Sequence, residues 1–112
     1  ELDESLFETA QALQDIGIWE DTVIMTYSEF GRRAAENGSR GTDHGMAAPH
    51  FLMGGNLNGG FIGQFPNLGD LRNNNLDYEV DYRTVYEAIL REHFGLIENP
   101  FQSYQNRDLR IL

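Results

Sequence analysis

The 112 residues, 40% of them hydrophobic and 12% aromatic, suffice for one small packed domain and argue against a disordered chain. Eighteen acidic against eight basic residues give a formal charge of -10, which repels nucleic-acid phosphates and anionic membrane surfaces. With no cysteine there are neither disulfides nor thiolate ligands, so a metal would have to be held by carboxylate and imidazole.

The chain starts at Glu1 and opens directly into a helical pattern, which reads as a cut and leaves two organisations, a single domain over 1–112 or a fragment of something larger. Leu2, Leu6, Ala10 and Leu13 recur at helical spacing and predict an amphipathic helix that Gly17 can end in a left-handed conformation. Thr22-Val-Ile-Met-Thr-Tyr27, between Asp21 and Ser28, is the β-branched apolar run of a strand buried on both faces. A helix feeding such a strand predicts an α/β fold, part of a mixed, mainly parallel sheet flanked by helices. The longest apolar run, around Val23 to Met25, falls far short of the roughly 20 residues of a membrane span, so none is expected.

From Ser28 to Pro49 glycines stand at 31, 38, 41 and 45 with no sustained period, which predicts a long loop, with a helical turn over Arg32 to Glu36 as the alternative. Loops of that length in compact domains are generally functional or disordered. Phe51-Leu-Met53 predicts a second buried strand, and the glycines from 54 to 60 lead to a weaker third at Phe61 to Phe65. Pro66 to Leu76 reads as an Asn-rich loop. Asp81 then caps a helix whose apolar face is Tyr82, Val85, Tyr86, Ile89 and Leu90 and which Gly95 ends. The tail from Leu96 is expected to be irregular and docked through Phe101 and Leu109.

Ligands of open α/β sheets bind beyond the carboxyl ends of the strands, where Ser28-Glu29-Phe30-Gly31-Arg32-Arg33 follows the first strand. The same loop delivers Gly41-Thr42-Asp43-His44-Gly45, an oxygen and a nitrogen ligand on backbone free to bend around an ion. Arg32 or Arg33 can grip a tetrahedral oxyanion bidentately. Plainer readings stand beside these: Glu29 as a cap, Arg32 and Arg33 solvated or in structural ion pairs, Asp43 and His44 in a loop hydrogen bond. His50 beside Pro49 reads as a half-buried histidine or a further ligand, and His93 as a favourable partner of a helix C-terminus.

The stretch VIMTYSEFGRRAAENGSRGTDHGMAAPHFLMGGNLNGGFIG resembles a sulfatase-like domain-of-unknown-function family in which a strand, SEFGR, a variable loop, TDHG and a glycine-rich strand follow in order. VDYRTVYEAILREHFG resembles that family's last helix, so the likeness covers most of Thr22 to Gly95. The family is similar in turn to the alkaline phosphatase and sulfatase superfamily, where a nucleophile attacks a phosphate or sulfate ester beside divalent metals. The resemblance implies that the chain is the C-terminal portion of an alkaline phosphatase-like ester hydrolase. It further implies a divalent ion (Zn, Ca, Mg or Mn) on Glu29, Asp43 and His44, and Arg32 and Arg33 facing the substrate anion. Two registers fit: Asp43-His44 as the acidic-histidine pair, or, preferred, Glu29 in the acidic place with His44 as the later histidine. In the preferred register Phe30 stands where relatives carry a ligating histidine. Nothing in Glu1 to Thr22 resembles the superfamily's strand bearing the nucleophile and first metal aspartate. Activity would therefore require an N-terminal part of the same polypeptide. Export to the periplasm or the extracellular space through a twin-arginine signal is implied by the resemblance alone. A non-catalytic module that keeps the fold without the metal chemistry is the alternative, and a small glycan-binding domain built on NNNLDY is a third reading.

Overall fold

The structure, a computed structural model, describes residues 1–72, 74–98, 100–101 and 109–112. Helix α1 spans Leu2–Asp15. As predicted, Gly17 ends it: at φ +80 it lets its own N–H reach Gln14 O and that of Ile18 reach Leu13 O, the paired bonds of a Schellman cap. Ala10 is buried and Leu6 and Leu13 half-buried, but Leu2 at the start of the stripe is 59% exposed. Among the described elements α1 packs only on the short 3-10 turn Trp19–Asp21 that follows it.

Strand β1 is Ile24–Met25 and β4 is Leu52–Met53; they pair antiparallel, Ile24 opposite Met53 and Met25 opposite Leu52. Thr26 N–H to Phe51 O extends the ladder by one bond. Between them, β2 (Gly31–Glu36) and β3 (Thr42–Gly45) form a second antiparallel pair. The predicted mainly parallel sheet flanked by helices is therefore corrected to two small two-stranded antiparallel sheets with two helices. The reason lies in the connection. Parallel neighbours need a crossover, usually a helix, to carry the chain back across the sheet. The glycine-rich segment after β1 has no apolar period from which to build one, so it folds back on itself as a hairpin, and β4 returns beside β1 in the opposite direction. The long loop expected over 28–49 and the helical turn over 32–36 are both replaced by this hairpin.

The entry to β1 is fastened to the exit of β4. Gly55 N–H donates to Trp19 O, and the Asn56 side-chain amide to Glu20 O. A Cβ on Gly54 would lie 2.3 Å from Thr22 O, so only glycine permits this approach. The predicted third strand is absent among the described residues, and Phe61 and Phe65 are 94% and 88% exposed.

Asp81 caps α2 (Tyr82–Ala88) as the sequence predicts. Its Oδ1 accepts from Arg83 N–H at 2.9 Å, and its two oxygens take the Arg83 guanidinium at 2.9 and 2.8 Å. The Arg83 side chain holds the Asp81 carboxyl below its ordinary value, against the opposing effect of burial. A π-helical turn, Ile89–His93, follows, and Gly95 at φ +68 ends the element. The tail docks as expected through Phe101, whose ring meets Tyr82 and Tyr86, and through Leu109, whose carbonyl accepts from Arg91. The firmest anchor is one the sequence did not single out. Ile111 is 3% exposed, its N–H donates to Glu92 Oε2 at 2.6 Å, and its carbonyl accepts from Asn58 N–H at 2.8 Å. Residues 102–108 of the tail and Asn73 of NNNLDY lie outside the described residues.

Among the described residues the buried apolar set is small: Ala10, Ala88 and Ile111. The chain has 8675 Å² of accessible surface, against about 6,300 Å² for a compact monomer of its mass.

Candidate functional site

Every candidate site residue falls on or beside the β2–β3 hairpin. Its turn is organised by Asn37, whose side-chain Oδ1 accepts from Ser39 N–H and Gly41 N–H, both at 3.0 Å, while its own N–H donates to Gly41 O. This is an Asx turn, and it carries Arg40 at φ 61. At the other end Gly31 faces Gly45 across the ladder. A Cβ on Gly31 would stand 1.8 Å from Ala47 O, and one on Gly45 2.7 Å from Arg32 C. Both glycines are thus required by close backbone approach, which holds the strand bases together and brings residue 47 over them.

Arg32 and His44 are cross-strand partners, so their side chains leave the same face of the pair. The His44 ring stacks on Phe30 with centroids 3.6 Å apart and planes 12° apart, and the Arg32 guanidinium carbon lies 5.1 Å from the centre of the same Phe30 ring. Arg32 uses Nη1 to donate to Thr42 O at 2.7 Å, and its Nε and Nη2 have no hydrogen-bond partner among the described residues. The His44 ring nitrogens have no hydrogen-bond partner among the described residues. Arg33 turns to the neighbouring strand and donates from Nε to His44 O at 3.2 Å.

Asp43, one residue before His44 in an extended strand, leaves the opposite face. There it accepts from the Asn37 amide at 3.0 Å. Glu29 sits exposed at the bend between β1 and β2, where Ser28 Oγ donates to Phe30 O at 2.7 Å. The hairpin therefore brings Arg32 and His44 together and sends Asp43 away from them. Among the described residues no three His, Asp or Glu side chains are grouped so as to hold a metal ion. Asp43 and His44 thus leave opposite faces of β3, with Glu29 at the bend before β2. Of the other histidines, His50 Nδ1 lies 3.4 Å from Thr26 Oγ1, and His93 packs edge-on against Phe94.

A family model described as protein of unknown function (DUF1501) matches residues 1–111. The chain belongs to this family. Neither a curated protein nor a solved structure matches it. In this member of the DUF1501 family the SEFGR segment forms the bend and the first residues of β2, and TDHG is the whole of β3. The two segments, separated in sequence by residues 33–41, thus lie side by side in one unit. The residue that reading discounted, Phe30, is the one on which the two polar candidates meet. No helix among the described residues is long and apolar enough to cross a membrane.

Proposed function

We propose that this chain is the C-terminal portion of a phosphatase-like or sulfatase-like ester hydrolase, acting only with further chain of the same polypeptide. The observation that carries the reading is the Arg32–His44 pair: cross-strand partners whose guanidinium and imidazole leave one exposed face of the hairpin, with donors left for a tetrahedral oxyanion. Arg33 lies within the same hairpin. The remainder of the molecule is strongly acidic, whereas in residues 28–45 Arg32, Arg33 and Arg40 balance Glu29, Glu36 and Asp43, so an anion is repelled least at this hairpin. A divalent ion in such an enzyme would need ligands from outside this chain, with Glu29, Asp43 or His44 contributing in part. The surplus accessible surface supports a portion that packs against further polypeptide. Export to the periplasm or the extracellular space belongs to the same proposal.

The test is made on the longer, metal-replete polypeptide. Expected results are a bound divalent ion by elemental analysis, hydrolysis of p-nitrophenyl phosphate or p-nitrophenyl sulfate, and a loss of about 10²–10³-fold in turnover for Arg32→Ala. A protein with neither bound ion nor ester hydrolysis under these conditions removes the enzyme reading. That outcome would favour a non-catalytic module.

A further inference from the structure

The geometry points to Phe30 as a positioning residue that fixes Arg32 and His44 as the two arms of one oxyanion clamp. The inference rests on the oxyanion reading of the hairpin and goes beyond it by naming what holds the clamp open. Three observations carry it. The imidazole lies flat on the phenyl ring, with centroids 3.6 Å apart and 12° between planes, and this restrains its rotation about the bond to Cβ. With one face covered, its nitrogens are presented edgewise. The Arg32 guanidinium carbon is 5.1 Å from the centre of that same ring, within cation–π range, so one aromatic side chain orients both polar groups. Phe30 is itself held: Ser28 Oγ donates to its carbonyl at 2.7 Å and accepts from its N–H at 3.4 Å, closing a small turn just before β2.

An arginine free to move loses several rotamers when it closes on an anion, and an imidazole loses fewer. A pair already ordered on a shared ring avoids most of that loss. The ligand class is a tetrahedral oxyanion, taken between Arg32 Nε and Nη2 and an imidazole N–H. Phe30 touches no substrate in this arrangement and acts only through its two neighbours.

The experiment uses the 112-residue chain, with Phe30→Leu to keep apolar bulk without the ring and Phe30→Tyr to restore the ring. Proton–carbon NMR of the His44 ring and proton–nitrogen NMR of Arg32 Nε are followed during titration with inorganic phosphate and, separately, sulfate. In the wild type the stacked phenyl ring should shift the His44 ring protons upfield, and phosphate should move both the His44 and Arg32 signals. Phe30→Leu should return the His44 protons to unstacked positions and weaken phosphate binding about tenfold. Phe30→Tyr should restore both. Unchanged amide signals in α2 establish that each variant is folded. Phosphate bound equally well by Phe30→Leu overturns the positioning role while leaving the oxyanion reading standing. A wild type with stacked His44 signals but no response to either anion overturns the oxyanion reading and the clamp with it.

Discussion

At Asp81 one carboxylate performs two tasks, capping the first turn of α2 and taking the Arg83 guanidinium on both oxygens. Removing an acidic N-cap costs roughly 1 kcal/mol. The partly exposed ion pair adds little to that. We therefore expect Asp81→Ala to lower stability by about 1–2 kcal/mol in urea denaturation. The pH dependence has a definite sign. Because Arg83 holds the folded-state pKa below the unfolded one, the contribution of Asp81 is fully present above the unfolded value of about 3.9. It is lost as pH falls through the folded-state pKa, so the stability difference between wild type and Asp81→Ala should be constant near neutrality and shrink in that acidic range. A difference that grows on acidification would mean that Arg83 does not act on Asp81 as described. Gly31 makes a steric case of the same kind. A methyl group 1.8 Å from Ala47 O forces the backbone to move, so Gly31→Ala should destabilise by about 1–3 kcal/mol. Hydrogen exchange should show faster opening of β2 and β3 with α2 unaffected. Uniform loss of protection over the whole chain would contradict a local role.

The elements divide according to whether their signals are local. Helix α1, its glycine stop and the Asp81 cap were legible because each is written within a few adjacent residues. The β2–β3 hairpin was missed although a signal existed: Asn37-Gly38 is a strong turn dipeptide, and Asn37 does organise the turn. Period counting failed there because the register shifts between Arg32 and Glu36, and because glycines and short polar residues blur alternation. The same shift hides the Arg32–His44 partnership, which follows from the folded register and not from spacing along the chain. The antiparallel sense of β1 and β4 was likewise unreadable, since a short apolar run carries no information on direction, and both strands are half-buried where burial on both faces was expected. The tail latch depends on partners distant in sequence. Ile111 is held by Glu92 and Asn58, and Arg91 reaches Leu109 O. Ile111→Ala should cost about 2–4 kcal/mol if the packing does not relax, and should free the tail. Limited proteolysis that still leaves residues 109–112 protected in this variant would show that the latch lies elsewhere.

For the whole molecule, surface area decides. A compact monomer of this mass would expose about 2,400 Å² less than this chain does and would have a radius of gyration of about 13 Å, where this chain has 16.5 Å. Large apolar side chains are exposed at separated places: Phe7 on α1 and Ile16 at its C-cap, Phe61 and Phe65 beyond β4, and Ile97 after α2. The excess is larger than the about 800 Å² that a standard interface takes from each partner, so the docked arrangement proposed above has surface enough to form. Charge argues about the partner. Residues 1–31 contain seven acidic side chains before the bend residue Glu29 and no basic one, so two copies of α1 would repel, whereas a surface bearing lysine or arginine around an apolar groove would complement it. We expect the 112-residue chain alone to bind an environment-sensitive apolar dye and to scatter X-rays with a radius of gyration near 16.5 Å. Joined to the further polypeptide we propose, it should lose the dye signal and unfold at higher urea, because the same side chains then leave water. A chain that alone excludes the dye and contracts to about 13 Å would have buried these residues against itself, and the argument for a docked partner would lose its physical basis.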